Sequence, residues 1–79
     1  MGQDRLPVLT AKQIITVLEH LGFEHRKFKA TSHRRYVHSD GRKTTIPVHP
    51  GQDIGRGLLR KILKDIEISL EEFKELLKK

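Results

Sequence analysis

Cysteine is absent from this 79-residue chain, so neither a disulfide framework nor a zinc-thiolate centre can staple it. Helix packing and sheet pairing have to suffice. No apolar run approaches the roughly 20 residues that span a bilayer, and the N-terminus carries no signal-peptide hydrophobic region. The expectation is a protein of the cytoplasm with no membrane role. Internal repeats and linkers are also missing. With 6 Gly, 3 Pro and 35% hydrophobic residues, the composition is far from that of a disordered segment. A domain this small buries only about 60% of the surface its unfolded chain exposes. Residues 1–79 are therefore expected to form a single domain with one modest core.

What the chain does have is positive charge, a net +6, and it is unevenly placed. Residues 1–21 are neutral overall, residues 22–61 set ten Lys/Arg against three Asp/Glu, and residues 62–79 set four against five. The field is central. Clustered cations of this kind match a phosphate polyanion, because neutralising phosphates releases condensed counterions whatever the base sequence. Midway along the basic segment, Thr31-Ser32-His33-Arg34-Arg35-Tyr36 sets one imidazole among cations and a tyrosine, which suggests a site working on RNA phosphates.

Thr10 and Gln13 form a T-x-x-Q capping box that starts a helix. Ile14, Ile15, Leu18 and Leu21 follow on one stripe, and Gly22 supplies the left-handed stop. Ahead of it, Leu6 to Leu9 is expected to pack under the domain. Phe23 to Lys29 lacks a helical stripe and reads as a short strand, with Phe23 and Phe28 in the core. Ser39-Asp40-Gly41-Arg42 is a hairpin signal, with Gly41 at the left-handed position of a three-residue loop.

That loop decides which side chains face the core, since a slip of one residue inverts a whole strand. With Ser39, Asp40 and Gly41 as the loop, His38 lies opposite Arg42, Tyr36 opposite Thr44, and Arg34 beside Ile46. Tyr36, Ile46 and Val48 then share the core face, and His33, Arg35, Val37, Lys43 and Thr45 take the other. A two-residue Asp40-Gly41 loop would instead put His33 with Ile46 and Val48. The first register buries the aromatic and the aliphatics together and is preferred. Pro47 breaks the donor row, so its strand is an edge or ends there, and His49-Pro50-Gly51-Gln52 reads as a turn.

Leu58, Leu59, Ile62, Leu63 and Ile66 mark a second helix whose wet side carries Arg56, Arg60, Lys61 and Lys64. Ser69 and Glu72 form another capping box, opening a short helix with Leu70, Phe73, Leu76 and Leu77 inward. The order is α-β-β-β-α(-α). The expected fold class is α+β: a three-stranded antiparallel sheet with helices on one face, as in double-stranded RNA-binding modules.

Several residues carry competing interpretations. Lys29, Arg34, Arg35, Arg42 and Lys43 are candidates for holding RNA phosphates, and Arg35 and Lys43 are the better ones because they share His33's face. Tyr36 could stack a base, although the preferred register makes it core. His49 is a weaker candidate for a second proton-transfer group. Ser32 has no nucleophile geometry, since adjacent strand residues point to opposite faces. The five histidines show no metal-ligand pattern, His33 and His38 falling on opposite faces of one strand. No metal and no cofactor is expected.

From about Leu6 to Leu77 the chain resembles the HicA toxins (YcfA-like proteins) of bacterial and archaeal toxin-antitoxin systems. The residues that carry the likeness are Leu21-Gly22-Phe23, Ser32-His33 with Tyr36, and Asp40-Gly41-Arg42. Beyond them come Pro47 with His49, Gly57-Leu58-Leu59-Arg60-x-Ile62-Leu63, and Ile68-Ser69-x-Glu71-Glu72-Phe73. The resemblance implies a small endoribonuclease that cuts messenger RNA and is neutralised by a HicB-like antitoxin. It implies that His33, at the histidine of the family's Gly-Ser-His motif, is the catalytic residue, with Ser32 beside it. Thr31 stands where the family has glycine, and threonine lacks glycine's backbone freedom. The alternative is a non-catalytic RNA-binding module of the same fold. DNA binding ranks third, because no helix-turn-helix pattern is present. Composition and motifs leave the oligomeric state open.

Overall fold

The computed structural model describes residues 8–26, 33–49 and 51–78. Eight elements run in order: β1 (Leu9–Thr10), α1 (Ala11–His20), β2 (Glu24–Arg26), β3 (His33–Val37), β4 (Lys43–Pro47), β5 (Asp53–Ile54), α2 (Arg56–Ile66) and α3 (Leu70–Leu77). Strands β2, β3 and β4 form an antiparallel sheet with β3 in the middle. The fold is α+β, with three helices and this three-stranded sheet, in the order expected.

Local chemistry sets the element ends. The Thr10 hydroxyl accepts the Gln13 backbone N–H while the Gln13 side chain accepts the Thr10 N–H, so two otherwise orphaned donors are satisfied. Gly22, at φ +97°, turns the chain out of α1. Helix α2 ends without glycine: Glu67 itself takes the left-handed conformation (φ 58°), and Ile68 N–H closes the cap on Leu63 O. The Ser69 hydroxyl accepts the Glu72 N–H at the start of α3.

The hairpin has the three-residue loop. His38 N–H donates to Arg42 O at 2.8 Å, Gly41 sits at φ +102°, and Tyr36 pairs with Thr44 and Arg34 with Ile46. Tyr36 and Ile46 are consequently buried against Ile14, Val17 and Leu18 of α1, Leu59, Ile62 and Ile66 of α2, and Phe73 of α3. Helices α1 and α2 both pack on β4, and α3 packs on α1. Thr44 is the one buried polar residue among those described. Its hydroxyl donates to Asp65 Oδ2 at 2.9 Å, which ties the sheet to α2.

Three details depart from the sequence expectation. In α1, Val17 is fully buried while Ile15 and Leu21 are only partly so, because the stripe facing the sheet is centred on Ile14 and Leu18. Strand β2 is described only as Glu24–Arg26; Lys27 to Lys29, with Phe28, lie outside the described residues, as do Leu6 and Pro7. The segment around Leu9 does more than pack: Leu9–Thr10 pairs antiparallel with Asp53–Ile54 in a separate two-stranded ladder.

Candidate functional site

Strand alternation and the helices on one side together define the site. On the face that no described helix covers stand Glu24 and Arg26 of β2, His33, Arg35 and Val37 of β3, and Lys43, Thr45 and Pro47 of β4. His33, at the start of β3, is exposed and pairs across the ladder with Pro47. Pro47 ends the edge strand. The next residue, Val48, turns back to the core cluster, and His49 returns to the His33 side. The two imidazoles meet edge to face, ring centroids 6.3 Å apart and planes at 83°. Gln52 N–H donates to His49 O at 3.1 Å and Gly51 takes φ +79°, so a formed turn holds His49 in place.

Cations continue along the same face. Arg35 lies two residues from His33, about 7 Å along the strand, and stands directly opposite Arg26. Like charges paired across a ladder cost stability, and a phosphate held between them reverses the sign of that interaction. Lys43 is further off, four ladder positions from Pro47 and so about 13 Å from the His33 end. Its ammonium therefore stands apart from the His33 end of the face. Arg26 was not singled out from the sequence. The signal was the register of β2 against β3, which the short strand concealed.

Other candidates are positioned differently. Arg34 shares the helix side of the sheet and borders a groove with Lys12, Thr16 and Glu19 of α1, so it does not join His33. Tyr36 is 1% exposed and lies against the His25 ring at 5.3 Å. Its burial leaves no free ring face for a base, which corrects the stacking role considered for it. Lys29 and Ser32, like Thr31, lie outside the described residues.

Arg42 also proves different from a phosphate ligand. Its Nε donates to Asp40 Oδ2 at 2.8 Å, its Nη1 donates to the carbonyl of Ile66 at the end of α2, and its guanidinium lies 5.2 Å from the centroid of the Phe23 ring. A cation at a helix C-terminus also interacts favourably with the dipole. Arg42 thus fastens the hairpin to α2. Beside it, His38 Nε2 lies 3.1 Å from Leu21 O and His38 Nδ1 3.1 Å from the Asp40 backbone nitrogen. In one tautomer Nε2–H donates to Leu21 O and Nδ1 accepts the Asp40 N–H. The 3.1 Å approach of Nδ1 to Asp40 Oδ1 becomes an ion pair only when the ring is protonated. The Arg42 backbone N–H holds the Asp40 carboxyl below its ordinary range; burial opposes it as the next largest effect, and the Arg42 guanidinium and then His38 add to the lowering.

Among the described residues no group of three or more His, Asp or Glu converges as a metal site, and no helix is long and apolar enough to cross a membrane. What the face offers is two neighbouring imidazoles, with guanidinium and ammonium groups able to balance anionic oxygens.

Comparison with curated proteins finds no match. The family model described as the HicA toxin of bacterial toxin-antitoxin systems matches residues 11–68, a span running from the first residue of α1 past the cap of α2 and containing every element of the site just described. The chain belongs to the HicA toxin family.

Proposed function

We propose that this toxin is a metal-independent endoribonuclease that cleaves messenger RNA in the cytoplasm, with His33 as a general acid or base. The observation that carries the proposal is the exposed His33 imidazole on the uncovered, cationic face of the sheet. RNA supplies its own nucleophile, the 2′-hydroxyl, so cleavage needs a proton acceptor, a proton donor and positive charge for the developing phosphorane. Histidine suits either proton role because its ordinary pKa of about 6.5 lies near working pH. Arg35 and Arg26 are nearest to balance the charge at the reacting phosphate. Lys43 holds a phosphate further along the strand, and Lys29 and Ser32, outside the described residues, are further candidates for RNA contacts.

The same face is the surface an antitoxin has to cover. A HicB-like partner presenting acidic groups there would both occlude His33 and complement the charge of residues 22–61. Induced expression without a partner protein provides the test. Wild-type protein arrests growth and depletes messenger RNA, and His33→Ala, an exposed substitution that leaves the core intact, accumulates to the same level without effect. Equal growth arrest by both proteins would refute the assignment, and a protein that binds RNA without either effect would be the non-catalytic module.

A further inference from the structure

Resting on that ribonuclease reading, we infer that His49 is a second catalytic residue and that His33 and His49 divide the two proton transfers of one cleavage. A single histidine leaves the other transfer to solvent. The fold instead brings two imidazoles together from separate strands: His33 opens β3, its ladder partner Pro47 closes β4, and the alternation across Val48 returns His49 to the same face. Both rings are exposed, and their centroids are 6.3 Å apart with planes at 83°. The rings are too far apart to bond to each other, yet close enough for both to reach one phosphate through hydrogen bonds of about 2.8 Å. The turn closed by Gln52 N–H on His49 O fixes the second ring's backbone, as a preorganised proton donor or acceptor requires.

The step balances without any further reagent. One neutral imidazole takes the proton of the 2′-hydroxyl as the 2′-oxygen forms its bond to phosphorus. The other, entering as imidazolium, gives its proton to the 5′-oxygen as the bond from phosphorus to that oxygen breaks. The products are a 2′,3′-cyclic phosphate and a 5′-hydroxyl. Afterwards the base imidazole holds the extra proton and the acid imidazole is neutral, and exchange with water restores the pair.

The test uses the purified full chain on two RNA substrates of one sequence, one natural and one with sulfur replacing the 5′-bridging oxygen at the cleaved bond. A thiol, with an ordinary pKa of about 8.5, leaves without being protonated. On natural RNA, His33→Ala and His49→Ala should each cleave about 100-fold to 10,000-fold more slowly than wild type. On the sulfur substrate, the variant that has lost the acid should return to within about 10-fold of wild type, while the variant that has lost the base stays slow. His49→Gln, which keeps polarity at the turn, should behave as His49→Ala, and circular dichroism checks the fold of each variant.

If His49→Ala and His49→Gln cleave natural RNA within about threefold of wild type while His33→Ala is inactive, the shared role is wrong and the ribonuclease reading stands. Rescue of neither variant, or of both, also overturns the division of labour. Intact RNA with wild-type protein overturns both proposals.

Discussion

Arg42 and Lys43 are adjacent cations that the strand sends to opposite faces, so replacing each with alanine should damage different properties. The Arg42 side chain is about four-fifths buried, donates to the Ile66 carbonyl at the C-terminus of α2, and lies over Phe23. A hydrogen bond from a charged donor contributes about 1.5–3 kcal/mol, and the cation–π contact adds about 0.5–1 kcal/mol. These terms overlap, and the contact with the half-exposed Asp40 is screened by solvent. Arg42→Ala is therefore expected to cost about 2–3 kcal/mol, which for a domain of this size lowers Tm by roughly 10–20 °C. Lys43 is exposed on the uncovered face, so Lys43→Ala should stay within about 0.5 kcal/mol of wild type. It should weaken RNA binding and reduce the slope of log affinity against log salt by about 1.

Thermal unfolding followed by circular dichroism gives the first pair of values, and RNA titration at several salt concentrations gives the second. The reasoning fails if Arg42→Ala costs under about 1 kcal/mol and weakens RNA binding as much as Lys43→Ala does.

Two further predictions concern the scaffold. Glu67 holds a left-handed conformation at the end of α2, which costs a non-glycine residue about 1–2 kcal/mol. Glu67→Gly relieves that strain while loosening the unfolded chain, so chemical denaturation should show a net gain of up to about 1 kcal/mol; a loss would show that the Glu67 side chain contributes more than the strain. Asp40 concerns pH. Its folded pKa lies below its ordinary value, chiefly through the Arg42 backbone N–H, so its contribution is present above the unfolded-state pKa and is lost as pH falls through the folded one. The drop in Tm between pH 6 and pH 3 should be smaller in Asp40→Asn than in wild type, and an equal drop would show that Asp40 has no part in acid destabilisation.

Much of this architecture was legible because local signals agreed with one another. Ser39-Asp40-Gly41 selected the hairpin loop, and the loop in turn placed Tyr36 and Ile46 inward and His33 and Arg35 outward. The capping residues Thr10 and Ser69 marked helix starts for the same reason, since the chemistry that satisfies a helix end lies within three residues of it. Features that depend on distant partners were not legible. The role of Arg42 is set by Ile66 O, 24 residues away, and by a phenylalanine on another segment, so in sequence it is one more cation of the basic stretch. The ladder between Leu9–Thr10 and Asp53–Ile54 is two residues long on each side, too short for an alternating pattern to register. The approach of His49 to His33 lay in between. It follows from the hairpin register once Pro47 is paired with His33, but only if the alternation persists past the proline into a segment that reads as a turn.

The most direct measurement is cleavage of a defined messenger RNA by purified protein in excess chelator, comparing wild type with His33→Ala after both are shown to unfold at the same temperature. The wild type is expected to cut at undiminished rate without free metal, and the variant at least about 100-fold more slowly. Equal cleavage by the two proteins, or wild-type activity abolished by chelator and restored by a divalent ion, would contradict a metal-independent site built on His33.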